Sequence, residues 1–578
     1  MTTLTERPAT PPAEPAAPAS AYTRYEPRIA PALLHPRREK PWLPLWAAVI
    51  VAAGAGPVLD AAFPDRGWWP MAFVAIALVL VAARGRRAGA AFLVGLVFGA
   101  AFFFPHIEWA AVFLGPIPWS ALAGLMALWC GLGTMLIALA YRWIRVVWRG
   151  RWARSLVIPA VVAGLWTLRE GVSAVWPYGG FSWGRVAFSQ SASPLSELFG
   201  WLGVSGVSFV MVFLVALAIE AVREVRIDAL RRATVVTAVA LVLVAAPAWT
   251  AVAGTSAPAG DGATLRVGAV QGDTKAGYFD PPANVGDNLI GQIAATEPIY
   301  ADDVDVVVWP EGASDIDPIL YPVAARAFDE VARAADAPLV AGIITTRDTG
   351  MRDADGNEIS QYFNTSAVWH DGEGVVDYYD KKHPVPFGEY VPDRAFWRPF
   401  APDLIDLIGR EYTPGTTDAV MDVGSAKTDG RQVLAGIAIC FDIVDDGLLR
   451  GMTTEGAQII FAQTNNADFG FTDESVQQLA MARIRAIETA RSVVNISTVG
   501  TSAIIYPDGS VHDQLEWYTP GVMVDDVPLA TTLTPAVLGG QQFEWLVAGG
   551  ALIVLLGVGL QQPRRNRATK RTKKAATR

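Results

Sequence analysis

Three short segments of this chain carry side chains able to do nucleophilic chemistry. Ile439-Cys440-Phe441-Asp442 places a thiol at the end of the apolar run 434–439. Val306-Val307-Val308-Trp309-Pro310-Glu311 places a carboxylate behind a second apolar run, where Pro310 withdraws a donor from further pairing inside a sheet. Tyr379-Asp380-Lys381-Lys382-His383-Pro384-Val385-Pro386-Phe387-Gly388-Glu389-Tyr390 is a loop bounded by proline and glycine that carries a lysine and a second glutamate. A thiol becomes a nucleophile when a base takes its proton, and a cation can then hold the oxyanion that forms. Each segment also has an ordinary reading. A lone cysteine is most often a small buried hydrophobe, a glutamate after a strand is often only solvated, and paired lysines are usually surface charge. The only other cysteine, Cys130, lies in a membrane-length apolar stretch, so the two make neither a disulfide framework nor a zinc cluster. Five scattered histidines give no reason to expect a metal site.

The elements that must position these residues are short β-type runs at 265–270, 304–309, 339–345, 433–441, 458–463, 493–499 and 502–506. Most are continuously apolar, as strands buried on both faces are. Between them the stretch 474–491 returns Val476, Leu479, Ala480, Ile484 and Ile487 at helical spacing. Pro507-Asp508-Gly509 reads as a hairpin turn. Alternating strands and helices predict a layered α/β domain over 263–530, long enough to bury its own core.

The rest of the chain is different. Its 52% hydrophobic content concentrates in 43–253 and 545–560, which excludes a wholly soluble protein. Spans of membrane length are expected near 43–62, 70–84, 89–106, 120–143, 155–175, 200–221, 233–253 and 543–560. Basic residues gather in 24–40, 84–87, 142–154, 223–232 and 564–574, at alternate connections. That alternation puts both termini in the cytoplasm and the 263–530 domain outside. Residues 1–40 are rich in Ala and Pro without an apolar segment, which predicts a disordered cytoplasmic tail rather than a signal peptide. The basic tail 561–578 reads as a topology anchor that touches anionic lipid, not as a nucleic-acid patch. The segment Trp176-Pro-Tyr-Gly-Gly-Phe-Ser-Trp183 lies at an outer membrane edge, where tryptophan anchors are common. Arg169 and Glu170 beside it are costly at a span end unless paired or wet.

Together, Glu311, Lys381 and Cys440 resemble, in chain order, the Glu-Lys-Cys triad of the carbon–nitrogen hydrolase (nitrilase) superfamily. The loop from Tyr379 to Pro392, with Val385-Pro-Phe-Gly-Glu-Tyr-Val-Pro392 at its end, is more specific. With seven spans before the domain over 41–255 and one after it, residues 43–560 resemble the apolipoprotein N-acyltransferases. Trp176 to Gln190 and Thr464-Asn465-Asn466-Ala-Asp468-Phe469-Gly470 extend the likeness.

The resemblance implies a multi-span α-helical membrane domain plus an extracytoplasmic αββα sandwich. It implies a phospholipid as acyl donor, a diacylated apolipoprotein as acceptor, no cofactor and no nucleic acid. By it, Glu311 is the general base, Lys381 stabilises the oxyanion, and Cys440 carries the acyl group as a thioester. Glu389 orients Lys381 or Glu311, with Asp442 and Asn465 in support. Phe387, Tyr390 and Trp397 belong to an aromatic stretch suited to a lid that dips into lipid, or alternatively to core packing. The chain departs from the family's usual Tyr-Glu after the nucleophile, having Phe441-Asp442, and an early family tryptophan has only Tyr278 or Phe279 near its place. A membrane-tethered amidase and a non-catalytic lipoprotein-binding protein are the other readings.

Overall fold

The computed structural model describes residues 40–148, 150, 152–224, 262–274, 277, 283–352, 356, 358–428 and 430–562. The expected span at 233–253, both tails apart from Lys40, Gln561 and Gln562, and the Tyr278–Phe279 pair lie outside them.

The membrane part is helical: α1 (Leu45–Asp60), α2 (Met71–Ala83), α3 (Ala88–His106), α4 (Trp109–Leu114), α5 (Pro116–Val147), α6 (Ile158–Val175) and α7 (Phe199–Glu224), joined after the globular domain by α14 (Pro535–Leu560). Five described segments are long and apolar enough to cross a membrane: Ala88–His106, Pro116–Val147, Ser155–Val175, Ser196–Arg223 and Pro535–Leu560. The expected spans at 43–62 and 70–84 become shorter apolar helices of 16 and 13 residues. Proline and a turn-rich stretch (Phe63 to Pro70) separate them before either reaches full length. Helix α5 starts earlier than 120, because Pro116 is well placed in a first helical turn.

Small residues let these helices approach closely. A Cβ on Gly95 would lie 2.5 Å from Cys130 O, and one on Gly99 2.7 Å from Cys130 Cβ, so α3 and α5 meet nearly backbone to backbone. This contact accounts for Cys130 as packing. Arg84 of the basic 84–87 connection is fully buried and pairs with Glu220 at 2.6 Å. Arg169 and Glu170 are also buried and paired at 3.3 Å, and Trp166 Nε1 donates to the same carboxylate at 2.8 Å. Pairing is what charges at a span end require.

The globular domain is built on two six-stranded mixed sheets. The first runs β12 (Gly521–Pro528), β1 (Thr264–Gln271), β2 (Val306–Val308), β3 (Leu339–Arg352), β4 (Glu358–His370), β5 (Gly374–Asp380). The second runs β11 (Val511–Gln514), β10 (Ala503–Ile505), β9 (Ser492–Ser497), β8 (Ile459–Thr464), β7 (Leu434–Ile439), β6 (Val420–Asp422). Strands β1, β2 and β3 are parallel, as are β7, β8 and β9, and the outer strands pair antiparallel. Alternation sorts the side chains. Val306 and Val308 enter the main core with the second sheet's Ile437 and Phe461. Val307 and Trp309 join Leu289, Ala324 and Phe328 under the helices α8 (Asp287–Thr296) and α9 (Pro322–Ala335). Helices α12 (Asp446–Thr454) and α13 (Glu474–Thr489) pack on the second sheet. The expected αββα layering is therefore present.

Candidate active site

The reactive segments meet because β2, β5 and β7 all end at one edge of the layered domain, which faces the membrane helices. Past β2, Trp309 N still donates to Val340 O at 2.9 Å, and Pro310, which has no donor, accepts from Gly342 N at 3.2 Å. Pairing thus continues through the proline's carbonyl to Glu311. Gly342 makes this possible: a Cβ there would fall 2.5 Å from Pro310 O and 2.6 Å from Glu311 Cα. Lys381 directly follows β5, whose last two residues the sequence reading assigned to the loop, and its N–H donates to Asn364 O at 2.9 Å.

At the end of β7 the chain turns sharply. Cys440 has φ 53 and opens a 3-10 turn, Cys440–Val444. A side chain other than glycine in this left-handed region is strained and persists only where its surroundings fix it. Here Asp442 Oδ2 accepts from Ile439 N at 3.1 Å and from Tyr379 Oη at 3.2 Å, and Gln478 Nε2 donates to Cys440 O at 3.2 Å. The membrane-edge segment clamps the same turn. Phe441 stacks on Phe181 and Trp183, each with ring centroids at 5.9 Å. Ser182 Oγ donates to Val444 O at 3.2 Å, and Trp183 Nε1 to Gln477 Oε1 at 2.6 Å. Trp183 is buried, so it packs against the nucleophile's turn instead of anchoring at the interface, whereas Trp176 is exposed.

Glu311, Lys381, Glu389, Cys440 and Asn465 line one cavity of about 690 Å³. Its apolar side comes from Trp109, Phe113, Leu122, Met126 and Trp129 on α4 and α5. Asn364 Nδ2 bridges the two glutamates, at 2.7 Å from Glu311 Oε1 and 2.9 Å from Glu389 Oε1. Glu389 Oε2 accepts from Val385 N at 2.6 Å and lies 2.9 Å from Lys381 Nζ. Lys381 and Glu389 thus form a largely buried ion pair. Glu311 Oε2 is buried with no hydrogen-bond partner.

Electrostatics sets the resting protonation. Burial pushes Glu311 up to about 7, against the opposing pull of Lys381. Burial raises the Cys440 thiol well above its ordinary value, the Glu311 charge adds to this, and Lys381 opposes it. For Lys381, burial favours loss of the proton, but the charges of Glu389, Cys440, Glu311 and Asp442 outweigh it and hold the ammonium above its usual range. The site at rest is a neutral thiol, a permanently charged lysine and a base poised near neutrality. A general base is needed to ionise such a thiol.

The remaining expected residues separate. Phe387 lines the cavity, while Trp397 packs on Phe387 at 5.7 Å in a small cluster with Val391, Ile405 and Ile408. Tyr390 and Asp442 line a neighbouring cavity of about 890 Å³, and Phe441 forms part of both linings. Asn465 accepts from Thr498 Oγ1 at 2.9 Å, and its backbone N–H faces Glu311. Asn364, Gln478 and Glu474 also belong to the site, and sequence reasoning missed them. Asn364 lies in β4, a strand with no continuous apolar run to signal it. Gln478 and Glu474 lie on the polar side of the helical stretch that had been read for its apolar stripe.

Residues 55–217 match the family model described as the apolipoprotein N-acyltransferase N-terminal domain, and residues 266–534 match that of carbon-nitrogen hydrolase. An apolipoprotein N-acyltransferase of Mycolicibacterium smegmatis is 33% identical over 89% of this chain and 85% of that protein. Enzymes of the same name from Azotobacter vinelandii (29% identical; 91% and 97% covered) and Pseudomonas aeruginosa (28%; 89% and 96%) are also similar. Among solved structures, a Nesterenkonia amidase of the nitrilase superfamily overlays 46% of this chain and 92% of its own, at 15% identity and a TM-score of 0.33. The two matched models follow one another in the order of the membrane part and the layered domain, and the likeness to the mycobacterial enzyme spans both. The chain is a membrane enzyme of the apolipoprotein N-acyltransferase family.

Proposed function

We propose that this enzyme transfers an acyl chain from a membrane phospholipid, through a thioester on Cys440, to the α-amine of a diacylglyceryl-cysteine at a lipoprotein N-terminus. The observation that carries the reading is the single cavity in which the buried Glu311 carboxylate and the buried Lys381 ammonium, ion-paired to Glu389, stand beside Cys440 against apolar walls from the membrane helices.

In the first half-reaction, the Glu311 carboxylate takes the Cys440 Sγ proton and the thiolate attacks the ester carbonyl carbon. The oxyanion forms beside Lys381 Nζ, which Glu389 Oε2 at 2.9 Å keeps charged and in place. Collapse breaks the ester C–O bond, Glu311 returns the proton to the departing alkoxide, and a lysophospholipid leaves. In the second half, the acceptor amine attacks the thioester and gives a proton to Glu311. Collapse breaks the C–S bond, and the proton goes to Sγ. Glu389 and Asn364 hold Lys381 and Glu311 in place without touching substrate. Basic residues at alternate connections support cytoplasmic termini and an extracytoplasmic catalytic domain.

The test is mass spectrometry of the purified enzyme with phospholipid, then with a diacylated lipopeptide. An acyl adduct on Cys440 that passes to the lipopeptide amine is expected. An active enzyme that releases acid from small amides and never carries an acyl adduct from lipid overturns the reading in favour of a tethered amidase.

A further inference from the structure

The two substrates must leave the cavity in different directions. A phospholipid lies wholly at the membrane, whereas a lipoprotein N-terminus has its acyl chains in the bilayer and its polypeptide in water. The cavity lining divides to match. Trp109, Phe113, Leu122 and Met126 close one side with rings and aliphatic groups from the membrane helices. Asn288, Ser314, Asp315, Arg410 and Tyr412 of the globular domain form a polar side. An acceptor chain running from Cys440 to water crosses this polar side.

Asn288 differs from its neighbours there. It is the second residue of α8 and is 4% exposed, while Val285 and Ile290 nearby are 84% and 66% exposed. It therefore stands just inside a mouth whose rim reaches the surface. Four carboxamides line the cavity, and protein groups hold three of them. Asn364 donates to Glu311 and Glu389, Asn465 Oδ1 accepts from Thr498 Oγ1 and Ala467 N, and Gln478 bridges Asn466 and Cys440 O. Among the described residues, the Asn288 side chain has no hydrogen-bond partner. Buried polar groups are nearly always paired, so an unpaired carboxamide in the wall of a substrate cavity takes its partner from what enters, water or substrate.

Its chemistry selects the guest. A carboxamide donates and accepts at once, which complements the C=O and N–H of a peptide bond. A phosphate diester offers Oδ1 no donor. Charge also disfavours an anion at this turn, because Asp315 Oδ2 accepts from Gly286 N at 2.6 Å and its Oδ1 from Leu289 N at 3.3 Å, on either side of Asn288. Arg410, on the same side of the cavity, lies over the Tyr362 ring at 5.4 Å. We propose that Asn288 binds a leading peptide bond of the acceptor lipoprotein, Nδ2 donating to its carbonyl and Oδ1 accepting from its N–H, and so selects a peptide amine over other nucleophiles. This inference deepens the acceptor assignment made above and rests on it. The enzyme then grips its second substrate twice, by acyl chains against α4 and α5 and by backbone at α8. Backbone contacts are independent of side-chain sequence, so one site accepts N-termini that differ beyond the lipidated cysteine.

The test compares two acceptors on the same acyl-enzyme. The Cys440 adduct is formed with phospholipid, and its decay is followed against the concentration of a diacylated lipopeptide or of diacylglyceryl-cysteine methyl ester. The ester keeps the acyl chains and an α-amine beside a carbonyl, and has no peptide N–H. Wild type should favour the lipopeptide in the second-order rate constant for decay. Asn288→Leu keeps the approximate shape and removes both polar atoms. It should cut the lipopeptide-to-ester ratio of rate constants about 5- to 30-fold, the worth of two neutral hydrogen bonds, mainly by raising the half-saturating lipopeptide concentration. An unchanged ratio overturns the proposal. So does a slowing of adduct formation from phospholipid as large as that of lipopeptide transfer, because Asn288 would then read the donor. Should the variant not fold, wild type decides with a lipopeptide whose leading peptide bonds are replaced by esters: a lower rate constant than for the parent chain supports the contact, and an equal one overturns it. Absence of any adduct in wild type, or of transfer to either amine, overturns the acyl-transfer reading and this inference with it.

Discussion

Replacing Asn364 by Leu should shift the pH dependence of the first half-reaction, because its amide is what keeps the buried base usable. Asn364 Nδ2 donates to Glu311 Oε1 at 2.7 Å and to Glu389 Oε1 at 2.9 Å. Leucine has nearly the same shape and offers no donor, so the site stays filled and water has little room to replace the lost bond. A hydrogen bond to a charged group contributes about 1.5–3 kcal/mol, more when the acceptor is left buried and unpaired. At 1.36 kcal/mol per unit, loss of the bond raises the Glu311 pKa by about one to two units. The starting value is about 7, so roughly half the molecules hold an ionised base at pH 7. In the variant that share falls to about one in ten or one in a hundred, which slows thioester formation about 5- to 50-fold at pH 7. The rate should recover as pH rises toward about 9, where Glu311 ionises again. The assay is the initial rate of acyl adduct on Cys440, read by intact-protein mass over that pH range. An acid limb with an unchanged midpoint refutes the assignment of the limb to Glu311. A uniform loss at every pH would mean that Asn364 acts only by placing side chains.

Lys381→Met removes the buried cation beside the thiol and should slow thioester formation about 100- to 1000-fold, the usual cost of losing an oxyanion donor; the same adduct assay reads it. Gly342→Ala forces a Cβ against Pro310 O and Glu311 Cα, and should lower stability by about 1–3 kcal/mol, seen as a reduced melting temperature in detergent. Stability should also fall as pH rises from about 4 to about 8. Burial raises Glu311 and Asp442 to about 7 and Glu474 to about 8, so in that window the folded state binds more protons than the unfolded one, and the stability slope is negative. The contribution is complete below the unfolded carboxyl values and is lost through the folded ones. Melting temperatures across the window check this, and a flat or rising profile contradicts the buried-acid assignments.

Parallel, fully buried strands were legible in the sequence because they are unbroken apolar runs. β1, β2, β3, β7, β8 and β9 each fall within or beside such a run, and so Glu311 and Cys440 could be placed after strands, whereas β5 before Lys381 has no such run. β4 was not legible, because Glu358–His370 mixes Ser, Gln, Asn and Thr with its apolar residues and pairs antiparallel on both sides. With β4 went Asn364. The edge strand β11 is exposed at every residue and carries no core signal. The aromatic stretch around Phe396 illustrates a different limit. Composition could not separate a lid from packing, and in the fold it divides, with Trp397 packed on Phe387 while Phe396 and Phe400 remain exposed. In the membrane part, hydropathy located the helices but could not show that Arg84 of the basic connection turns inward to Glu220.

Phe441 shows why the neighbours of a triad matter as much as its members. Leaving Glu311 Oε2 buried without a partner costs about 1–3 kcal/mol, and the left-handed Cys440 adds strain of similar size. Local sequence cannot sustain that arrangement, so the surroundings must. The turn itself contributes Asp442 on Ile439 N, α13 contributes Gln478 on Cys440 O, and the segment 181–183 stacks two rings on Phe441. Aromatic pairs of this kind contribute about 0.5–1.5 kcal/mol each beyond the area they bury, which is the size of the strain they accompany. A ring packed against two near-parallel rings does this without a hydroxyl, and Tyr379 Oη already occupies Asp442 Oδ2 from β5 of the other sheet. The phenylalanine at this position is therefore consistent with an intact nucleophile turn. It also makes the membrane part a structural support of the chemistry: without Phe181 and Trp183, the turn that presents Cys440 loses one of its three restraints.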